Sequence, residues 1–237
     1  MSTTRPQKTA LLVAQRIVAD INRRGNTVGD RLPPERVMLE EYEVGRGTLR
    51  ESLRFLELQG VIALKPGPGG GPIVRRPDPT ALATSLTLLL QFDQAPLRSV
   101  AEARAGLEPA LARLAAEQMT EDQLGELRAV AESSEHLDDP RGFLEQDRHF
   151  HDLVARGSGN PVLAHLSAAL LLLDRPAGGT ETAARRSTAR QAHLRIVEAI
   201  ASRDAGETQT AMADHLAQDL RHAEEAQLAA PVVWESP

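Results

Sequence analysis

From residue 79 to about residue 228 the apolar residues recur at helical spacing, and nowhere do they alternate as a strand requires. A stretch of this kind can bury its apolar stripes only against other helices, which restricts it to an antiparallel α-helical bundle. Helices are expected over about 79–92, 97–118, 121–136, 141–156, 161–174, 181–203 and 207–228. Thr120 with Gln123 fits a capping box, and Asn160-Pro161 suits a helix opening. Residues 229–237 read as a frayed, flexible tail. Aromatic residues make up only 3% of the chain, and this scarcity beside abundant Ala, Leu, Glu and Arg agrees with helix over sheet. The longest apolar runs, 82–90 and 162–173, fall short of the ~20 residues that span a bilayer. No basic stretch followed by an apolar one opens the chain, so a soluble cytoplasmic protein with no membrane partner is expected. The absence of cysteine excludes disulfide scaffolds, cysteine zinc fingers, iron–sulfur clusters and thiol nucleophiles.

Residues 1–76 read differently. An amphipathic helix is expected over 8–24, a short second helix from Pro33-Pro34-Glu35 to about residue 42, and a third over 46–59, stopped by Gly60. Two β-rich runs, 61–65 and 72–76, flank a Gly/Pro tip and form a hairpin. Three helices followed by a hairpin describe a winged helix-turn-helix, so the whole chain is mainly α: a winged domain at 1–76, a helical domain at 77–228, then the tail.

Charge divides the same way. Residues 1–76 hold 13 Lys+Arg against 8 Asp+Glu, a net of +5, while the remainder, with 14 against 25, has −11. A basic first part suits a polyanion. On the third helix Arg46, Arg50 and Arg54 form one stripe beside the apolar stripe Leu49, Leu53 and Leu56. Guanidinium forks match guanine edges and phosphates, Arg36 and Thr48 can add backbone contacts, and the tip with Lys65 and Gly67 is slim enough for a minor groove. The alternative is a solvated face paired with Glu51, Glu57 and neighbouring acidic residues.

All seven histidines lie at or beyond His136. Asp147 and His151 share a helical face with Phe143 and Val154, His193 lines up with Ile196, Val197 and Ile200, and His215 borders Met212, Leu216 and Leu220. One carboxylate and three imidazoles on inner faces suit a divalent Zn, Ni, Mn or Fe ion. Each histidine taken singly is equally a hydrogen-bonded core residue. His136, His149 and His222 fall at polar positions, and His165 borders an apolar face. Arg104 stands inside the stripe Val100, Leu107, Leu111 and Leu114, where a buried cation needs an anion. Glu108 one turn later is one candidate partner, and the carboxylate of a small molecule beside the metal is the other.

Two resemblances follow from these residues. Arg31-Leu32-Pro33-Pro34-Glu35-Arg36, Val44-Gly45-Arg46-Gly47-Thr48-Leu49-Arg50-Glu51-Ser52-Leu53 and Leu56-Glu57-Leu58-Gln59-Gly60-Val61-Ile62 resemble the winged-helix domain of GntR-type bacterial transcription regulators across 8–76. The resemblance implies that Arg36, Arg46, Thr48 and Arg50 contact operator DNA. Gly45 and Gly47 depart from the family, which usually has Ser or Thr there. Glu102-Ala103-Arg104-Ala105-Gly106-Leu107-Glu108-Pro109, the Asp147 and His151 segment with Ser158-Gly159-Asn160-Pro161, and the His193 and His215 segment resemble the FCD effector domain of the FadR subfamily across roughly 79–222. That resemblance implies a metal set of Asp147, His151, His193 and His215 and a small hydroxy, keto or sugar acid held at Arg104. Seven expected helices fit the FadR-like branch, and the metal set disfavours a fatty effector.

The expectation is thus a dimeric, ligand-responsive regulator, a repressor by the family's commoner habit, that binds a palindromic double-stranded DNA operator. A metal-dependent hydrolase or lyase with a DNA-binding appendage is the rival class, but no general base, nucleophile motif or phosphate loop accompanies the ligand set. A regulator sensing the metal itself is the third reading.

Overall fold

A computed structural model describes residues 4–67, 70–133, 139–174, 182–222 and 228–234. The described residues form ten helices and one two-stranded antiparallel sheet. The chain divides into units Met1–Ala81 and Leu82–Pro237, a few residues past the break expected after 76.

The first unit holds α1 (Thr4–Arg23), α2 (Glu35–Tyr42), α3 (Arg46–Leu58), β1 (Ile62–Lys65) and β2 (Gly71–Val74). The apolar stripe of α3, Leu49, Leu53 and Leu56, is buried against Val13, Ile17 and Ile21 of α1 and Met38 and Tyr42 of α2. Burying side chains of this size stabilises the unit by roughly 1.5–3 kcal/mol each. α2 ends at Glu43 in the left-handed region, φ 54°, which turns the chain sharply into α3. In the hairpin Ile62 pairs with Val74 and Lys65 with Gly71. The segment before α2 adds a partial third strand: Gly29 N and Leu32 N donate to Val74 O and Pro72 O, and Val74 N donates to Asp30 O, each at 2.9 Å. Pro72 has no N–H to donate, so only its carbonyl takes part. Residues 68 and 69 of the expected tip lie outside the described residues.

The second unit holds α4 (Thr80–Phe92, whose first residues fall in the first unit), α5 (Leu97–Gln118), α6 (Glu121–Glu132), α7 (Pro140–Gly157), α8 (Pro161–Leu173), α9 (Ala183–Ala201) and α10 (Ala205–His222). These are the seven helices read from the sequence. Helix starts are set by side chains. Thr120 and Gln123 form the capping box, Asp139 accepts from Arg141 N and Gly142 N, and Asn160 accepts from Val162 N and Leu163 N. α5 packs on α7, α8, α9 and α10, and its buried Ala112, Ala115 and Ala116 let those helices approach closely. Phe150, Leu127, Ile196, Ile200 and Met212 fill the core. At Gly157 a Cβ would come within 2.2 Å of the buried Met119 Cε, so any larger residue there would require the Met119 side chain to shift.

The expected flexible tail over 229–237 is corrected for residues 229–234. Leu97 N donates to Ala230 O at 2.8 Å, Val232 N to Ala95 O at 2.9 Å, and Trp234 N to Gln91 Oε1 at 2.8 Å. Val232, 3% exposed, packs with Ala83, Val100, Ala169 and Leu173, and burial of this one valine supplies the anchor that composition alone did not reveal. No helix among the described residues is long and apolar enough to cross a membrane.

Candidate functional site

The basic stripe of α3 stands out from its unit: Arg46, Arg50 and Arg54 are all exposed while the leucines between them are buried. Among the described residues neither Glu51 nor Glu57 holds these arginines, and the one acidic neighbour that does is Glu35, against Arg50. Arg50 Nε donates to Glu35 Oε1 at 3.1 Å, and Arg36 Nη1 to Glu40 Oε1 at 2.8 Å with both side chains more than two-thirds exposed. Ion pairs this exposed contribute about 0–1 kcal/mol, so a phosphate can take either arginine at little cost. Glu57 has another task, accepting from Leu64 N at 2.8 Å to fasten β1 to α3. Thr48 is half-buried, Lys65 is exposed at the end of β1, and Gly67 sits at φ 94°, a conformation that favours glycine. Gly45 caps α3 without a side-chain hydrogen bond, and a Cβ at Gly45 or Gly47 would meet nothing. Packing therefore does not require glycine at either position, and the first N–H groups of α3 receive no bond from the Gly45 cap.

Ser52 was not singled out from the sequence. Its buried hydroxyl lies 2.8 Å from both Ala10 O and Thr48 O, tying α3 to α1. A serine on the apolar side of a helix, between Leu49 and Leu53, was the available signal.

In the helical unit, four side chains from three helices converge. α7 presents Asp147 and His151, α9 presents His193 and α10 presents His215, and their ligand atoms all lie within 4.8 Å of one another. His215 Nε2 is 3.2 Å from the Nε2 of His151 and 3.2 Å from that of His193. Asp147 Oδ1 is 3.3 Å from His193 Nε2 and 4.0 Å from His151 Nε2. The three imidazoles are buried and Asp147 is partly exposed. Phe150 stacks on His193 with ring centroids 3.8 Å apart and fixes its plane.

Electrostatics poise the donors in different ways. Burial holds the His193 and His215 imidazoles below the usual range, with neighbouring His151 and His193 adding to the effect at His215, so both rings are neutral at pH 7. Burial works the other way on the Asp147 carboxyl, but its bond to His193 and the nearby imidazoles outweigh burial and hold it well below the carboxylate range. His151 is raised despite its burial because Glu108 stands beside it. His151 Nδ1 lies 2.5 Å from Glu108 Oε2. A single ring proton placed on Nδ1, beside that carboxylate, would leave the Nε2 lone pair to the cluster, the tautomer a metal-ligating imidazole needs.

Glu108 also answers the question posed by Arg104. Arg104 is buried, its Nε donates to Glu108 Oε1 at 2.5 Å, and its Nη1 pairs with Asp174, the residue that follows α8. Arg148 Nη2 in turn donates to Asp174 O at 2.7 Å. A chain of contacts therefore runs from the cluster through His151, Glu108 and Arg104 to Asp174. Asp174 and the second role of Glu108 escaped the sequence reading because each joins helices far apart along the chain. Asp219, on α10 one turn after His215, places Oδ2 3.6 Å from His215 Nε2 and was likewise missed, although its (i, i+4) spacing gave a signal. His149 and His165 are exposed, and His136 lies outside the described residues, as does the His222 side chain.

Comparison with known proteins matches these two units. Residues 9–70 match the model for bacterial regulatory proteins of the gntR family, and residues 99–218 match that of the FCD domain. An HTH-type transcriptional repressor NanR from Cronobacter sakazakii is 30% identical over 218 residues, covering 89% of this chain and 83% of that protein. The NanR repressor of Salmonella newport is 29% identical over the same length. Among solved structures, the Streptococcus agalactiae GntR superposes with a TM-score of 0.71 at 27% identity, covering 90% of this chain and all of that one. The family is one of regulators rather than enzymes, which removes the hydrolase or lyase reading. With a winged unit that bares an arginine stripe and a helical unit built around four metal-type donors, this chain belongs to the gntR family of bacterial regulatory proteins and carries an FCD domain.

Proposed function

We propose that the protein is a homodimeric transcriptional repressor acting in the cytoplasm, whose helical unit binds a divalent metal and a small organic acid that alters operator affinity. The observation that carries this reading is the convergence of three buried Nε2 atoms. His215 Nε2 faces two other Nε2 atoms at 3.2 Å and cannot hydrogen-bond well to both, whereas a cation between them would satisfy all three. Ligand atoms about 2.1 Å from one metal stand roughly 3.0–3.4 Å apart, which suits three of these spacings, at 3.2, 3.2 and 3.3 Å, while the 4.0 Å between Asp147 Oδ1 and His151 Nε2 is wider. Asp147, His151, His193 and His215 would hold the ion, with zinc, nickel, manganese and iron all compatible with one carboxylate and three imidazoles. Bound there, the metal would supply Lewis-acid positions for an acid's carboxylate and its neighbouring hydroxyl or keto oxygen.

The rest falls to the chain's own residues. Glu108 orients His151, Asp147 lends a negative charge that favours a cation, and Arg104 offers a guanidinium to the effector carboxylate. In the winged unit Arg46, Thr48 and Arg50 would read and grip the major groove, Arg36 would touch the backbone, and Lys65 with Gly67 would approach the minor groove. Two such units meet two half-sites of a palindrome. The effector acts by its different affinity for the DNA-binding and released arrangements of the dimer. Repression is favoured because the NanR relatives are repressors. The test is fluorescence anisotropy of an operator selected from random duplexes, with hydroxy, keto and sugar acids added to metal-loaded and chelated protein. A shift in operator affinity with at least one acid, abolished by the chelator, is expected. Affinity indifferent to every acid, or governed by metal alone, overturns the organic-acid reading.

A further inference from the structure

Arg104 is buried with a divided allegiance. Its Nε is committed to Glu108, which is itself buried and cannot leave. Its Nη1 pairs with Asp174, whose side chain is 38% exposed, and its Nη2 is buried with no hydrogen-bond partner among the described residues. A guanidinium is best satisfied by a carboxylate that bridges two of its nitrogens, and Asp174 engages only one terminal nitrogen. The contact with Asp174 is therefore the exchangeable one, since that carboxylate can turn to water while Arg104 cannot.

We propose that Asp174 is a built-in competitor for the effector site: its carboxylate occupies the Arg104 fork in the ligand-free protein, and an incoming carboxylate displaces it by spanning Nη1 and Nη2. This inference rests on the reading of Arg104 as an effector contact and deepens it. Displacement removes the side-chain tie between the end of α8 and α5, while Arg148 still holds the Asp174 carbonyl. α8 carries Ala169 and Leu173 into the layer formed with Ala83 of α4 and Val100 of α5, so ligand occupancy at Arg104 bears on the packing of α4. Asp174 thereby sets the affinity threshold: only an acid with a second hold on the site outcompetes an intramolecular carboxylate, because the apparent affinity is reduced by the fraction of protein whose fork is free.

The test uses the full chain and 13C-labelled glycolate, the simplest 2-hydroxy acid, titrated by NMR line broadening into wild type and Asp174→Asn, each metal-loaded and metal-free. Metal uptake is measured on the same samples. Asp174→Asn is expected to bind glycolate about ten-fold more tightly than wild type, with metal affinity unchanged. Asp174→Ser, which also removes the charge, should gain similarly and guards against a defect peculiar to one variant. Equal binding by both proteins, weaker binding by the variants, or no binding to either overturns the competitor role. Failure of wild type to take up metal would instead sink the metal reading under the proposed function, and the metal-free titrations would still decide the role of Asp174.

Discussion

Replacing Glu108 with glutamine probes the joint between the histidine cluster and the buried arginine. Glu108 is buried, and although burial alone would raise its carboxyl, the Arg104 guanidinium and His151 pull it from the ordinary 4.5 down to about 2. Its folded value is depressed, so its contribution is fully present above about pH 4.5 and is lost as pH falls through about 2. At ~1.4 kcal/mol per unit, the ionised carboxylate contributes about 3 kcal/mol at pH 7, about 1 kcal/mol at pH 3 and almost nothing at pH 2. Glu108→Gln keeps the shape and removes the charge, so it should cost the helical unit about 3 kcal/mol at pH 7. The assay is urea unfolding of chelated protein followed by the fluorescence of Trp234, the chain's single tryptophan, which lies in the helical unit. Taking wild type minus variant at each pH cancels the carboxylates that Glu108 does not touch, and leaves in the difference the loss at His151 of the support Glu108 gives its protonated form. A difference below about 1 kcal/mol at pH 7, or one that stays constant down to pH 2, would refute the reasoning.

Two further outcomes are expected in the winged unit. Arg50→Ala should abolish binding to a selected operator while shifting the melting temperature hardly at all, because Arg50 is 64% exposed and its pair with Glu35 is worth little; anisotropy and calorimetry check both, and full-strength DNA binding removes Arg50 from the contact set. Ser52→Ala should destabilise the winged unit by about 0.5–1.5 kcal/mol, since the Ala10 carbonyl inside α1 keeps its helical N–H and loses only a second donor. Denaturation followed by hydrogen exchange at α1 and α3 checks it, and unchanged protection there would mean the hydroxyl is dispensable.

Much of this was legible in the residues because the signals are local. Caps at Thr120 and Asn160, the Leu49/Leu53/Leu56 stripe and the (i, i+4) spacing of Asp147 and His151 all act within one or two turns, where periodicity and capping chemistry speak directly. The inner-face placement of His193 and His215 followed from the apolar residues beside them. What stayed hidden depends on contacts between distant segments. Arg104 announced its need for an anion, but nothing along the chain says that Asp174 meets it from the end of another helix. Glu108 reaches His151 only once α5 lies against α7. Val232 read as part of a frayed tail until its pocket between α4, α5 and α8 was formed.

The reading of the helical unit is tested most directly by counting metal. Purified wild type, stripped and then exposed separately to zinc, nickel, manganese and iron(II), should retain one ion per chain by native mass spectrometry for at least one of them. His193→Ala should retain none at the same concentrations while keeping its helical content. Wild type that retains no ion, or a His193→Ala protein that holds one as firmly, would contradict a centre built from Asp147, His151, His193 and His215.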